Sequence, residues 1–140
     1  MKLPSYLLLS VLTALGQPGL KGVKQQRPNV LFIFADDHAY QAISAYGGRL
    51  AQVAPTPNID RIAKGGMTFT DGHSSDTVCT PSRYGLLTGR SSWRTTLKRG
   101  VMGAEGACLI ADGRMTLPSL LSDNGYTAAM VGKWHLGMDF

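Results

Sequence analysis

Residues 29–37 read Asn-Val-Leu-Phe-Ile-Phe-Ala-Asp-Asp, a continuous apolar run of strand length that ends in two carboxylates. Because its apolar residues do not alternate with polar ones, the run predicts a strand buried on both faces, as in the centre of a parallel sheet. Asp36 and Asp37 would then lie at the carboxyl end of this strand, the edge where open α/β sheets bind ligands. The segment therefore predicts both a fold class and the location of a site.

The rest of the chain alternates between helical and strand patterns. Helices are predicted after the turn at residues 55–58 as far as Gly65-Gly66, over residues 82–88 before Gly89, and over residues 117–122 before Asn124-Gly125. Short strands are predicted at residues 67–70 and 126–131, the latter as a second buried strand. This alternation predicts an α/β sandwich with a largely parallel central sheet. No closing element follows the last strand, so we expect the sheet to be incomplete in residues 1–140.

The N-terminal residues are typical of a signal peptide. Lys2 supplies a positive start, residues 6–15 are almost wholly apolar, and Ala14 and Gly16 are small residues at the spacing of a cleavage site. The apolar run is shorter than the roughly 20 residues that a membrane-spanning helix needs, so no stable membrane span is expected. We therefore predict a signal peptide at residues 1–16, a linker at residues 17–28, and export to the periplasm or the extracellular space.

The composition is that of a globular protein without a disulfide framework. The chain has 140 residues, 44% of them apolar, which is enough for one modest domain. Only Cys79 and Cys108 are present, and they could either form one bridge or stay reduced. The net charge of +5 includes four cations in one stretch, Arg90, Arg94, Lys98 and Arg99. Because the chain lacks the interleaved aromatic and basic surface of nucleic-acid-binding proteins, we expect no nucleic-acid partner.

Residues 75–90, Ser-Asp-Thr-Val-Cys-Thr-Pro-Ser-Arg-Tyr-Gly-Leu-Leu-Thr-Gly-Arg, resemble the signature of the formylglycine-dependent, arylsulfatase-like sulfatases. The match includes the Cys-x-Pro-Ser-Arg core and its Leu-Thr-Gly-Arg continuation. Two further segments match in the same order, Asp36-Asp37 and the Gly-Lys-Trp-His-Leu-Gly at residues 132–137. The resemblance runs from about Arg27 to the end of the chain. It implies an alkaline-phosphatase-like α/β sandwich, with residues 29–140 as the N-terminal part of the catalytic domain.

The resemblance also implies a modified catalytic residue. In this family the motif cysteine, here Cys79, is converted to formylglycine by a formylglycine-generating enzyme, which Cys79, Pro81 and Arg83 direct. The aldehyde hydrates to a geminal diol, in which one hydroxyl attacks sulfur and the other later loses its proton and expels sulfate. The implied reaction is hydrolysis of an organic sulfate ester, on a carbohydrate or aryl substrate, to an alcohol and inorganic sulfate.

The same resemblance assigns the remaining site residues. Asp36 and Asp37, with modified Cys79, are the implied ligands of a divalent cation; oxygen ligation favours calcium, with magnesium as the alternative. Arg83 lies four residues after Cys79, so a helix that begins near the motif places both on one side, where Arg83 would hold the hydrated aldehyde. Lys133 and His135 project to one face if the strand pattern continues through them, and they would hold the sulfate oxygens and the hydrate.

Other polar and aromatic residues are given lesser roles. We expect His38 and His73 to be structural or to lie at the rim of the site. Tyr84 and Trp134 are expected to be packing residues, and Cys108 a small apolar residue or an incidental thiol.

Two alternatives to a sulfatase remain open from the residues. Phosphoryl and sulfuryl groups share tetrahedral geometry, so a phosphate or phosphonate ester hydrolase could use the same fold and motif. A noncatalytic module could instead bind sulfated glycans through the cations between Arg90 and Arg99. Since the family's remaining metal and sulfate ligands would fall beyond Phe140, we expect residues 1–140 alone to be inactive.

Overall fold

The computed structural model describes residues 27–103 and 105–138. The chain divides into two compact units, residues 1–34 and residues 35–140. The predicted signal peptide at residues 1–16 lies outside the described residues, as does the linker up to residue 26. Within the described part of the chain, no helix is both long enough and apolar enough to cross a membrane.

Three α-helices lie in the described part of the second unit: α1 (Pro57–Gly65), α2 (Cys79–Thr88) and α3 (Leu117–Asp123). Short 3-10 turns occur at Tyr40–Ala42, Ser44–Tyr46 and Ser92–Arg94. The predictions of α1 and α3 are confirmed to within two residues at each end. Helix α2 begins three residues earlier than predicted, so Cys79 is its first residue.

Local sequence signals explain where these helices begin and end. Pro57 begins α1, where its missing N–H is not needed, and the helix stops before Gly66. Helix α3 begins with a capping box in which the Thr116 hydroxyl accepts from the Ser119 N–H. Helix α2 ends at Gly89, whose backbone is left-handed at φ 65°.

Helix α1 also anchors the loop that precedes it. The Asp60 carboxylate, in the first turn of α1, accepts hydrogen bonds from the Ser44 hydroxyl at 2.6 Å and from the Thr56 hydroxyl at 3.0 Å. The bond from Ser44 is the main cause of the lowered pKa of Asp60. The carboxylate therefore stays ionised and ties the 3-10 turn at Ser44–Tyr46 to the start of α1.

A small apolar core lies around α2. Tyr84, Leu109 and Leu136 are buried at its centre, and further partly buried side chains pack against them: Leu87, Leu97, Met102, Ile110 and Trp134. Tyr84 is thus a packing residue, as predicted, and Trp134 is partly buried against the same core. The core holds α2 against the segments around residues 102–110 and 134–136.

The predicted sheet is not formed among the described residues. No strands are assigned at residues 29–35, 67–70 or 126–131, and the β pairing that is present is one antiparallel bridge between Gly106 and Met138. Leu31 is 85% exposed and Val131 is 99% exposed, although both were expected to be buried. A strand makes no hydrogen bonds within itself and needs at least one neighbouring strand to pair with. An apolar run predicts the propensity for a strand but does not supply its partners.

Candidate active site

Cys79 and Arg83 lie on consecutive turns of α2. Because four residues separate them in a helix that begins at Cys79, their side chains share one face. The Arg83 side chain is only 11% exposed, and its guanidinium donates to the Lys133 carbonyl at 2.7 Å through Nη1. Helix α2 thus connects the motif directly to the segment that contains Lys133 and His135.

The Asp36 carboxylate joins two cations. Lys133 Nζ lies 2.6 Å from Asp36 Oδ2, and Arg83 Nη2 lies 3.3 Å from the same oxygen. The hydrogen bond from Lys133 is the largest influence that lowers the pKa of Asp36, with a lesser contribution from Arg83. The same bond raises the pKa of Lys133. The structure therefore brings four of the predicted site residues together from three distant parts of the chain.

Asp37 adopts an unusual backbone conformation. Its φ is 52°, in the left-handed region that non-glycine residues seldom adopt, although aspartate tolerates it better than most. Its carboxylate makes no hydrogen bond or ion pair with other described residues. A sharp turn directly after Asp36 thus leaves a second carboxylate available for a ligand.

His135 lies in a turn rather than in the strand-like geometry that we expected. Its φ is 56°, which breaks the alternation of side chains, so Lys133 turns to Asp36 whereas the His135 ring turns to the Met102 carbonyl. The distance from His135 Nε2 to Met102 O is 2.9 Å. A carbonyl oxygen can only accept, so Nε2 carries a proton. His135 Nδ1 is buried and has no hydrogen-bond partner among the described residues.

A pocket of about 310 Å³ lies beside Lys133 and His135. Its lining residues are Gly103, Lys133, Trp134, His135, Gly137 and Met138. The backbones approach closely here, since a Cβ at Gly137 would lie 2.7 Å from the Gly106 carbonyl oxygen. The pocket combines a cation and an imidazole with an apolar wall.

Asp36 and Asp37 offer the oxygen ligands that a hard divalent cation prefers, but two carboxylates are too few to complete its shell. Calcium takes six to eight oxygen ligands, of which Asp36 and Asp37 could supply carboxylate oxygens. Among the described residues, no three of the His, Cys, Asp and Glu side chains come close enough together to hold a metal. Asp36 and Asp37 could therefore supply only some of the ligands that such a cation needs.

The remaining candidates lie apart from this cluster. His73 pairs with Asp71 at 3.0 Å, and both side chains are exposed. His38 is exposed as well. Cys79 and Cys108 are both free thiols, so the two cysteines do not form the bridge that their number alone allowed.

Sequence reasoning missed Thr80 and Met102. Thr80 is fully buried, and it connects the backbones of Met102 and His135 through its hydroxyl. Its position inside the Cys79–Arg83 segment was the available signal, whereas nothing local to Met102 indicates that its carbonyl faces a histidine 33 residues away.

Comparisons with known proteins agree on one family. The model of the family described as Sulfatase matches residues 28–139. The chain is 38% identical over 132 residues to an N-acetylgalactosamine-6-O-sulfatase of Bacteroides thetaiotaomicron, a match that covers 93% of this chain and 25% of that protein. It is 41% identical over 111 residues to arylsulfatase A of Bos taurus, with 79% and 21% covered. It is 40% identical over 121 residues to steryl-sulfatase of Homo sapiens, with 80% and 20% covered.

A solved structure agrees with these relatives. It comes from work on the metabolism of multiple glycosaminoglycans by Bacteroides thetaiotaomicron, and it matches with a TM-score of 0.73 at 39% identity. The match covers 80% of this chain and 22% of the solved chain. The chain thus spans a quarter or less of the length of these relatives. Because the family model matches most of its residues and the backbone matches a solved relative, this chain belongs to the sulfatase family.

Proposed function

We propose that the protein hydrolyses an organic sulfate ester to an alcohol and inorganic sulfate, with Cys79 in its formylglycine form as the nucleophilic residue. The observation that carries this proposal is the cluster at the start of α2. Cys79 begins the helix, and Arg83, one turn later, shares the Asp36 carboxylate with Lys133. A reactive group at this position is thus bordered by two cations, as chemistry on a sulfate anion requires.

The geometry of Arg83 supports a role in holding the modified side chain. Its guanidinium is fixed at two points, by the Lys133 carbonyl and by the Asp36 carboxylate. A planar guanidinium held in this way keeps its direction while a reaction proceeds beside it. Arg83 would therefore orient the hydroxyl groups of the hydrated aldehyde at Cys79.

Lys133 and His135 would bind the sulfate group of the substrate. Both line the pocket, whose apolar side is formed by Trp134 and Met138. Lysine would offset the charge of the sulfate, and the His135 ring would exchange a proton with the reacting groups. The apolar wall fits the face of a sugar or an aryl ring, so we propose a carbohydrate or aryl sulfate as the substrate.

Asp36 and Asp37 would contribute to a divalent cation site, which we propose to be for calcium. When bound, the cation would lower the pKa of a coordinated hydroxyl and offset the charge of the sulfate. The lowered pKa of Asp36 keeps this carboxylate ionised at neutral pH, as a cation ligand must be. Further ligands would have to complete the shell, since calcium takes at least about six.

Two proposals concern maturation and location. The segment Cys79–Arg83 would be the recognition sequence of the formylglycine-generating enzyme. Lys2 and the apolar residues 6–15 support export, to the periplasm or the extracellular space.

Parallel turnover assays on an aryl sulfate and an aryl phosphate test the proposed reaction. The full-length gene product is produced together with a formylglycine-generating enzyme, and Cys79→Ala is compared with Cys108→Ala, the matched control at the other free cysteine. We expect sulfate release that Cys79→Ala abolishes and Cys108→Ala retains. Preferential hydrolysis of the phosphate ester, or equal sulfate release by the two variants, would contradict the proposal.

A further inference from the structure

Thr80 makes an unusual pair of contacts for a residue in the first turn of a helix. Its side chain is fully buried, and its hydroxyl donates to the His135 carbonyl at 3.1 Å and accepts from the Met102 N–H at 3.2 Å. One hydroxyl thus uses its proton and one lone pair on two segments that are distant in sequence. It connects the start of α2 to His135 and to Met102, the two residues that are joined by the contact of the His135 ring.

The Met102 peptide completes a closed set of bonds. Its N–H is held by Thr80, while its carbonyl accepts from His135 Nε2 at 2.9 Å. Thr80 therefore fixes the backbone of His135 directly and, through Met102, the position of the carbonyl that the ring faces. If Met102 shifted, the ring would lose the acceptor that keeps the proton on Nε2.

The backbone of His135 needs such support. Its φ of 56° is a left-handed conformation that costs an L-residue about 1 kcal/mol or more. Contacts from neighbouring segments have to hold it there, because the isolated turn would relax. The hydrogen bond from the Thr80 hydroxyl to the His135 carbonyl acts at this strained residue.

We propose that Thr80 is a positioning residue for His135. Its hydroxyl holds the ring as the Nε2–H tautomer, bonded to Met102, and leaves Nδ1 as the acceptor nitrogen. Because Thr80 directly follows Cys79 in the chain, the same contacts also fix the distance between the Cys79 backbone and the imidazole. This inference rests on the proposed function, since it concerns the site where that reaction would occur.

The variants Thr80→Ser and Thr80→Ala form a matched pair for the test. Both lack the γ-methyl group, and only serine retains the hydroxyl, so their difference isolates the two hydrogen bonds. The full-length gene product is used, and mass spectrometry of the Cys79 peptide gives the fraction of modified sites. The readouts are kcat and KM for an aryl sulfate, per modified site, and the ¹⁵N NMR shifts of the His135 ring, which report its tautomer.

We expect Thr80→Ser to keep the Nε2–H tautomer and a kcat near that of the wild type. Thr80→Ala should show a mixed tautomer and a kcat lowered by about 10-fold or more, with KM little changed. Equal tautomer populations and equal kcat in the two variants would overturn the proposal, because a purely structural threonine would alter only thermal stability.

The wild-type spectrum provides a test that depends on no variant. A proton on Nδ1 rather than on Nε2 of His135 would overturn the proposal even if Thr80→Ala failed to fold. The NMR readout also separates this inference from the reaction. A modified wild type that released no sulfate would contradict the proposed function, whereas the tautomer comparison would still decide the role of Thr80.

Discussion

Two cations meet on one oxygen of Asp36, and this arrangement explains how single side chains set the electrostatics of the candidate site. Lys133 is the nearer partner, at 2.6 Å, and Arg83 lies at 3.3 Å. Arg83 differs from Lys133 in that it also donates to a backbone carbonyl. One cation therefore provides mainly charge, whereas the other also fixes the relative positions of α2 and residue 133.

The substitution Arg83→Lys tests this difference. It keeps the positive charge, but an ammonium on a flexible stem cannot reproduce the planar contact with both the Lys133 carbonyl and Asp36. We expect kcat per modified site to fall by about 10-fold or more. Steady-state kinetics on an aryl sulfate, with the modified fraction measured by mass spectrometry, check this prediction.

Arg61→Lys is the matched control, because Arg61 is exposed and lies in α1, outside both the signature and the cluster. It should leave kcat unchanged. If both variants were equally active, the planar guanidinium at residue 83 would have no special role.

Asp37 allows a test of the cation site that does not depend on turnover. Calcium that binds the folded protein raises its thermal stability by an amount that grows with the logarithm of the calcium concentration divided by its Kd. We expect calcium added after chelation to raise the melting temperature of the wild type but not that of Asp37→Asn, and magnesium to have a smaller effect. Asp71→Asn, at an exposed aspartate outside the cluster, should respond as the wild type does. An unchanged calcium response in Asp37→Asn would exclude this residue as a ligand.

Helix boundaries could be predicted because their causes are local. Pro57 and Gly66 bound α1, and Thr116 begins α3, so sequence alone indicates these positions. The geometry of His135 could not be predicted, because its left-handed turn is held by Thr80 and Met102, which are distant in the chain. A strand pattern through residues 126–135 was the simpler interpretation, but no strand is assigned there, and long-range contacts hold a turn at residue 135.

The link between Ser44 and Asp60 should make stability depend on pH. The hydrogen bond from Ser44 lowers the pKa of Asp60 from its ordinary value of 3.8. The stabilisation that this bond gives the folded protein is therefore complete above pH 3.8, and it is lost as the pH falls through the lower pKa of the folded state. We expect Ser44→Ala to lower the melting temperature near neutral pH, and the difference from the wild type to shrink in acid. Thermal unfolding across this pH range checks the prediction; a difference that grew in acid would contradict it.

Gly137 tests the close approach of backbones at the Gly106–Met138 bridge. Its φ is 79°, and an added Cβ would lie 2.7 Å from the Gly106 carbonyl oxygen. Gly113 has a similar φ of 69° but nothing within 4 Å of an added Cβ. Gly113→Ala should therefore cost about 1 kcal/mol of unfolding free energy, from backbone strain alone.

Gly137→Ala should lower the free energy of unfolding by a further amount of about 1–3 kcal/mol, because the added methyl group is overpacked against the facing backbone. Denaturant unfolding of the two variants measures this difference. Equal losses would mean that the backbone at Gly106 can move aside without cost.

Across the whole molecule, the candidate site draws on residues 36, 79–83 and 133–135, which a core around α2 holds in place. The segments that contain Asp36, Cys79 and Lys133 could be recognised in the sequence, whereas the contacts of Thr80 within one of them could not be. The central sheet could not be confirmed from the described residues, since apolar runs such as residues 30–34 require partner strands and covering helices to become buried. Chemistry at this site is thus indicated by short segments, whereas the sheet depends on long-range pairing.

The most direct test of the proposed function is mass spectrometry of the Cys79 peptide from the folded, full-length gene product, produced with a formylglycine-generating enzyme. Cys108, the other free cysteine, serves as the internal control and should remain a thiol. We expect Cys79 to have lost its sulfur and gained an aldehyde. An unmodified thiol at Cys79 in folded protein that still releases sulfate would contradict the account.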